Sequence, residues 1–352
     1  MVLEKDSRMK RVLFLIESLA GGGAEKVLST LVQHIDNSRF DVTVCAISGG
    51  GRYEQQVRNA VNYTCVLKDA KEYQGLAKLW YVLKYKLIYQ CLPMWLVYRL
   101  FIPQNYDVEI AFVEGFATKL LAHSSNQKAK KIAWVHCDLK NQPWPIEQGI
   151  FHDLQEEREA YLQYDIVLSV SHQVEDVMKE YYGLQRVETI YNPIDEVGIK
   201  DLALQKCNCQ VDQLNFNIVS VGRLTRVKGY DLLLLVIKKL VENGLHPHLW
   251  LIGEGTEKTT LQQQAFDLGI SDHVTFTGFQ KNPYALMSKM DLFVCSSRAE
   301  GFSLVIAEAM ILGLPVISTN CSGPNELIGK NEYGILCDTY EQMYEEIRAA
   351  IE

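Results

Sequence analysis

Apolar residues fall in short runs along the whole chain: Val12–Ile16, Val42–Ile47, Val108–Val113, Lys131–His136 and Ile166–Val170, then Phe216–Val221, His248–Ile252, Val274–Thr277, Leu292–Cys295 and Pro315–Ser318. Near-continuous runs of this kind predict parallel strands covered on both faces rather than half-solvated strands, which would alternate. Between them the apolar positions change period. Ala24, Val27, Leu28, Leu31, Val32 and Ile35 recur at helical spacing, as do Leu232, Leu233, Val236, Ile237 and Leu240. Strand and helix alternate through both halves, so the pattern predicts two α/β, Rossmann-like, doubly wound parallel-sheet domains. A chain of 352 residues is long enough for two such cores. The seam is expected within 192–215, where Asn192-Pro193 signals a turn and the following stretch lacks periodicity. The expected domains are 9–192 and 193–352. Ligands of open parallel sheets bind at the carboxyl ends of the strands, so two facing domains would create a cleft there.

Composition narrows the function. The chain is 48% hydrophobic and 22% charged with a formal charge of −8, which excludes a disordered chain and disfavours a nucleic-acid binder. Nine scattered cysteines, an odd number, read as reduced and buried thiols of a cytoplasmic protein. Cys207 and Cys209 lack a second ligand pair, so no zinc site is expected. The start, through Leu19, has no small-residue cleavage signature and reads as a charged leader into a strand.

Three strand-to-helix loops carry candidate chemistry. Gly21-Gly22-Gly23 precedes a helix and could let backbone amides approach an anion, or could be a plain turn. It is not a complete GxGxxG, because Lys26 replaces the last glycine, and no P-loop is present. Gly222-Arg223-Leu224-Thr225-Arg226-Val227-Lys228-Gly229 follows a strand and brings a guanidinium and an ammonium to its carboxyl end. Those two groups suit a diphosphate; solvated surface charge is the alternative, and the better reading of Arg226. The third block runs from Glu300-Gly301-Phe302-Ser303-Leu304 to Glu308. Glu308 lies among apolar helical neighbours, where a carboxylate is costly without a polar partner. Glu300 and the free amides at Phe302–Leu304 could face one ligand, or form a cap beside a structural salt bridge.

These blocks, in this order and spacing, closely resemble the retaining glycosyltransferases of family 4, of GT-B fold. Supporting segments are Tyr191-Asn192-Pro193-Ile194-Asp195, Leu251-Ile252-Gly253-Glu254-Gly255, Phe276-Thr277-Gly278-Phe279 and Pro315–Thr319 with Gly323 and Glu326. The resemblance implies that Arg223 and Lys228 hold the diphosphate of a nucleotide sugar and that Glu308 binds its ribose. Glu300 would contact the sugar ring, and the amides near Phe302, Ser303 and Leu304 would bind sugar or phosphate oxygens. The Gly22 and Gly23 amides would approach the phosphate from the other domain, and Phe279 would meet the base, which is expected to be uracil. His136, at the end of its strand, would lie near the transferred sugar and the acceptor; a histidine bonded to backbone is the bland alternative. The sequence has neither Asp-x-Asp nor a tight ligand cluster, so metal-independent transfer is expected, with no cofactor beyond the UDP-sugar donor.

Two departures stand out. The family's usual Asn-Gly turn is here Asn192-Pro193, and after Tyr340 a single helical segment follows, so the expectation is either a truncated chain or an enzyme that manages without the final helix crossing back to the first domain. A third feature is the stretch 73–106. It has no acidic residue, four cationic ones (Lys78, Lys84, Lys86, Arg99) and nine aromatics in 34 positions, far above the 10% aromatic content of the chain. Such a mixture suits peripheral contact with the cytoplasmic membrane face, whereas Lys84, Lys86 and Pro93 argue against a span. The alternative is that its apolar residues build the first domain's core.

The expectation is therefore a hexosyltransferase that retains configuration and acts on a glycan or lipid-linked acceptor in cell-surface polysaccharide or glycolipid synthesis. A nucleotide-sugar epimerase or hydrolase of the same fold, and a catalytically silent membrane-associated scaffold, are the competing readings.

Overall fold

The computed structural model describes residues 8–207, 209–212, 214–329 and 331–352. It consists of two compact units, Met1–Pro193 and Ile194–Glu352.

Seven parallel strands among the described residues form the sheet of the first unit: β1 (Lys10–Ser18), β2 (Phe40–Ser48), β3 (Asn62–Leu67), β4 (Val108–Ala111), β5 (Lys130–Val135), β6 (Ile166–Ser169) and β7 (Val187–Thr189). Their spatial order is β3-β2-β1-β4-β5-β6-β7, with Phe14 of β1 opposite Val44 on one side and Ile110 on the other. The chain therefore winds outward from β1, returns, and continues the other way. Leu13 and Leu15 project to one face of β1 and Phe14 and Ile16 to the other, and all four are buried, as a strand covered on both sides requires.

In the second unit the six strands among the described residues are β8 (Phe216–Val221), β9 (Pro247–Ile252), β10 (Val274–Gly278), β11 (Leu292–Cys295), β12 (Val316–Thr319) and β13 (Ile335–Cys337), in the order β10-β9-β8-β11-β12-β13. Leu233, Ile237 and Leu240 of the helix Tyr230–Glu242 pack on one face of this sheet, and Ile306 and Ala309 of the helix Leu304–Ile311 pack on the other. Both units are thus doubly wound Rossmann-like domains. Each has a topological switch point, between β1 and β4 and between β8 and β11, where such sheets bind ligands.

The structure departs from the sequence reading in several places. Strands β3, β7 and β13 were not expected; all three are edge strands, where fewer positions are buried and the apolar run is short or polar. Strand β5 ends at Val135, so His136 is the first residue beyond it. The aperiodic seam contains the helix Glu196–Ala203, whose Ile199 joins the second unit's core together with half-buried Cys207 and Cys209. All nine cysteines are free, but only Cys45, Cys295 and Cys337 are buried, and Cys91 is exposed.

The stretch 73–106 forms the helix Gly75–Lys86, a π-helical turn Leu87–Cys91 and the helix Met94–Phe101. No residue of the helix Gly75–Lys86 is buried. Leu76, Leu79, Trp80, Leu83 and Leu87, spaced to share one helical face, are all exposed, with Trp80 at 71% and Leu76 at 78%. The core reading therefore fails for this helix and holds only for Ile88, Val97, Tyr98, Ile102 and Tyr106. Among the described residues no helix is long and apolar enough to cross a membrane.

Candidate active site

In the second unit, three loops at the carboxyl ends of β8, β10 and β11, with the helix that follows β11, carry the expected donor residues. The loop after β8 is pinned by Leu224, whose amide bonds to the Glu254 carbonyl beyond β9 at 2.9 Å, and Leu224 itself is fully buried. Burying Leu224 leaves its neighbour Arg223 exposed, beside Lys228, whose charge it opposes. Gly229 closes the loop with φ +65° and no room for a side chain: a Cβ there would lie 2.0 Å from the Ser296 carbonyl oxygen. That close approach joins the β8 loop to the β11 loop.

The joint is made of specific bonds. Ser296 Oγ donates to the Lys228 carbonyl at 2.8 Å, and the Arg298 amide donates to the Val227 carbonyl at 2.7 Å. The Arg298 guanidinium adds a bidentate pair with Asp231. Thereby the Lys228 ammonium reaches Glu300, with Nζ 2.5 Å from Oε1. Burial works against its charge, but the Glu300 carboxylate outweighs this and holds the Lys228 pKa above the ordinary lysine value. Ser297 Oγ donates to the same Oε1 at 2.6 Å.

Beyond Glu300, Phe302 and Ser303 are buried and Leu304 begins the helix. Ser303 holds a left-handed backbone, φ +63°, at the N-cap, and its buried hydroxyl has no partner among the described residues. A serine in this conformation is uncommon, and such outliers cluster at functional sites. The Gly323 amide donates to the Glu300 carbonyl at 3.2 Å, fixing the turn from behind. Glu308, 3% exposed, has its polar partner in Tyr284, whose phenol bonds to the carboxylate. Phe279 follows β10 and is exposed. The expected residues Arg223, Lys228, Glu300, Phe302, Ser303, Leu304, Glu308 and Phe279 therefore share one edge of one unit.

The other expected residues belong to the first unit. Gly22 caps the helix Gly23–Gln33, and the Glu25 carboxylate folds back against it, so that a Cβ at Gly22 would lie 2.3 Å from Oε2. His136 packs against Phe112 and Trp134, with ring centroids at 4.8 and 5.9 Å. Its backbone amide and that of Cys137 both donate to Glu114 Oε1. Neither imidazole nitrogen has a hydrogen-bond partner among the described residues, and burial, against a contact with the Phe112 backbone, holds the ring's pKa down to about 3. His136 is accordingly neutral. The bland expectation of a histidine bonded to backbone is not met by its main-chain amide, which is held by the Glu114 side chain.

Sequence reasoning missed Glu114, Glu17, Tyr284 and Ser297. Burial pushes the carboxyl pKa of Glu114 and Glu17 up, and Glu17, at the end of β1, accepts from Tyr89 of the π-helical turn. Ser297 carried a usable signal, a hydroxyl three residues before Glu300. Tyr284 carried none, since it is remote in sequence from Glu308. Among the described residues no group of three or more His, Cys, Asp or Glu side chains could hold a metal ion.

The model of Glycosyltransferase Family 4 matches residues 21–197, half of the chain, and that of Glycosyl transferases group 1 matches residues 211–352. The chain belongs to this glycosyltransferase family. A relative in Campylobacter jejuni, an N-acetylgalactosamine-N,N'-diacetylbacillosaminyl-diphospho-undecaprenol 4-alpha-N-acetylgalactosaminyltransferase, is 27% identical over 98% of this glycosyltransferase and 91% of its own length. Among solved structures, Anabaena HepE in complex with UDP and glucose superposes with a TM-score of 0.73, covering 98% of this chain and 90% of that one at 22% identity. Staphylococcus aureus TarM superposes with a TM-score of 0.74, covering 98% and 92% at 12% identity. Likeness at such identities establishes the GT-B fold.

Proposed function

We infer that this glycosyltransferase moves a hexosyl group from a UDP-sugar to a glycan or lipid-linked acceptor, with retention of anomeric configuration, in the synthesis of a cell-surface polysaccharide or glycolipid. The observation that carries this reading is the convergence of Arg223, Lys228, Glu300 and Glu308 on one sheet edge. UDP-bound structures of the same fold and the lipid-linked acceptor named for the Campylobacter relative support the choice of substrates.

Arg223 and Lys228 bind the diphosphate and stabilise its charge as the bond from the anomeric carbon to the phosphate oxygen breaks. The acceptor hydroxyl attacks from the same face, and its proton passes to the departing phosphate. Glu300 orients the sugar, Glu308 binds the ribose hydroxyls, and Phe279 meets the base. The amides at Phe302, Ser303 and Leu304, and those of Gly22 and Gly23, bind sugar or phosphate oxygens. His136, neutral, orients the acceptor hydroxyl. No metal or further cofactor takes part, since two cations and backbone amides supply the stabilisation a metal ion would give.

Residues 73–106 bring the protein to the cytoplasmic membrane face. The exposed ridge of Leu76, Leu79, Trp80, Leu83 and Leu87 enters the headgroup boundary, and Lys78 and Lys86 meet anionic lipids. Lys84 has another task, because its ammonium donates to the Val66 carbonyl at 2.6 Å and lies over the Phe101 ring.

A thermal-shift screen of UDP-, GDP- and ADP-sugars tests the donor. A UDP-sugar should raise the melting temperature most; no shift with any nucleotide sugar overturns the reading. Sugar release without an acceptor would instead favour a hydrolase.

A further inference from the structure

One carboxylate oxygen of Glu300 takes two donors. Oε1 accepts from the Lys228 ammonium at 2.5 Å and from the Ser297 hydroxyl at 2.6 Å, while Oε2 takes part in neither bond. Ser297 is 2% exposed and held from two further sides. Thr319 Oγ1 donates to its carbonyl at 2.5 Å, and the Cys295 thiol donates to its hydroxyl oxygen at 3.6 Å. A hydroxyl has one proton to give. With the thiol as donor on one side, that proton is committed to Glu300.

The Lys228 ammonium has three protons to give, but an incoming diphosphate competes with Glu300 for its position and charge. As its ammonium turns to an incoming anion, Glu300, whose side chain is only 11% exposed, loses its counter-charge, and an unpaired buried carboxylate is costly. We propose that Ser297 is a positioning residue that keeps Glu300 Oε1 occupied while Lys228 exchanges between Glu300 and the donor diphosphate, so that Oε2 stays directed to the sugar. This rests on the nucleotide-sugar reading of the site. It also makes Glu300 a competitor of the diphosphate for Lys228, and makes Ser297 the group that weakens the competition.

Inorganic pyrophosphate is the probe, because it needs neither base nor sugar. Its affinity is measured by calorimetry on the full-length wild type, Ser297→Ala, Ser297→Thr, Glu300→Gln and the Ser297→Ala/Glu300→Gln double variant, with melting temperatures to verify folding. Glu300→Gln, which frees the ammonium and removes a negative charge, should bind pyrophosphate about tenfold tighter. Ser297→Ala should bind about fivefold weaker, and Ser297→Thr, which keeps the hydroxyl, should stay close to wild type. In the Glu300→Gln background Ser297→Ala should change nothing, since Ser297 acts through Glu300. A purely structural serine would weaken binding equally in both backgrounds, and that result, or an unchanged Ser297→Ala, overturns the role of Ser297 alone. Wild-type protein that binds no pyrophosphate overturns the diphosphate reading and this proposal together.

Discussion

The phenol of Tyr284 is hydrogen-bonded to the Glu308 carboxylate, and both side chains are almost fully buried. The bond explains how a carboxylate survives inside the apolar helix Leu304–Ile311. Tyr284→Phe should destabilise the second unit by about 1–3 kcal/mol, the cost of a buried group left without its donor, and should weaken nucleoside diphosphate binding. Urea denaturation and a UDP titration measure the two effects. Unchanged stability would mean that the phenol is dispensable to Glu308.

Two buried groups give the first unit opposing pH dependences. His136 titrates near 3 instead of the ordinary 6.5, so between those values the unfolded chain binds a proton that the folded chain refuses, and stability falls as pH drops through that window. Glu157 is displaced the other way, to about 7 from 4.5, by burial that outweighs its bond from Tyr182. Its contribution is present below pH 4.5 and is lost as pH rises through 7. Glu157→Gln should therefore match wild type near pH 4.5 and exceed it by roughly 1–3 kcal/mol at pH 8. Denaturation curves at both pH values decide it, and a gap independent of pH would contradict the assignment. The imidazole resonances of His136 should not titrate between pH 5 and 8.

Membrane contact should depend on the ridge and on some lysines only. Replacing Leu79, Trp80 and Leu83 by serine should abolish co-sedimentation with anionic vesicles without loss of fold, because all three are exposed. Lys78→Glu with Lys86→Glu should weaken binding in a salt-dependent way. Lys84→Glu should lower the melting temperature, since Lys84 is bonded to the Val66 carbonyl. Equal binding by all variants would remove the membrane from the account.

Turnover in EDTA should equal turnover without it, as the account leaves charge stabilisation to Arg223 and Lys228. Loss of activity restored by magnesium would contradict this.

Much of this was legible in the sequence because it is local. The nine interior strands and the edge strand β10 announce themselves as apolar runs, and the donor residues stand in three short loops whose place after a strand is itself readable. Edge strands β3 and β7 were not, because polar residues such as Asn62, Thr64 and Glu188 sit within them, and β13 was not because it is only three residues long. Partners drawn from distant segments were also invisible: Tyr284 for Glu308, Glu114 for the turn at His136, Tyr89 for Glu17. The inward turn of Lys84 depends on the packing of one helix against β3, and no residue count could separate it from Lys86.

The most direct test follows labelled sugar from a UDP-sugar into a lipid-linked acceptor, using wild type, Arg223→Ala and Lys228→Ala, with the anomeric configuration of the product read by NMR. Acceptor-dependent transfer with retention is expected of the wild type, and losses of at least about a hundredfold in each variant. Wild-type transfer with inversion, or transfer undiminished in both variants, would contradict this.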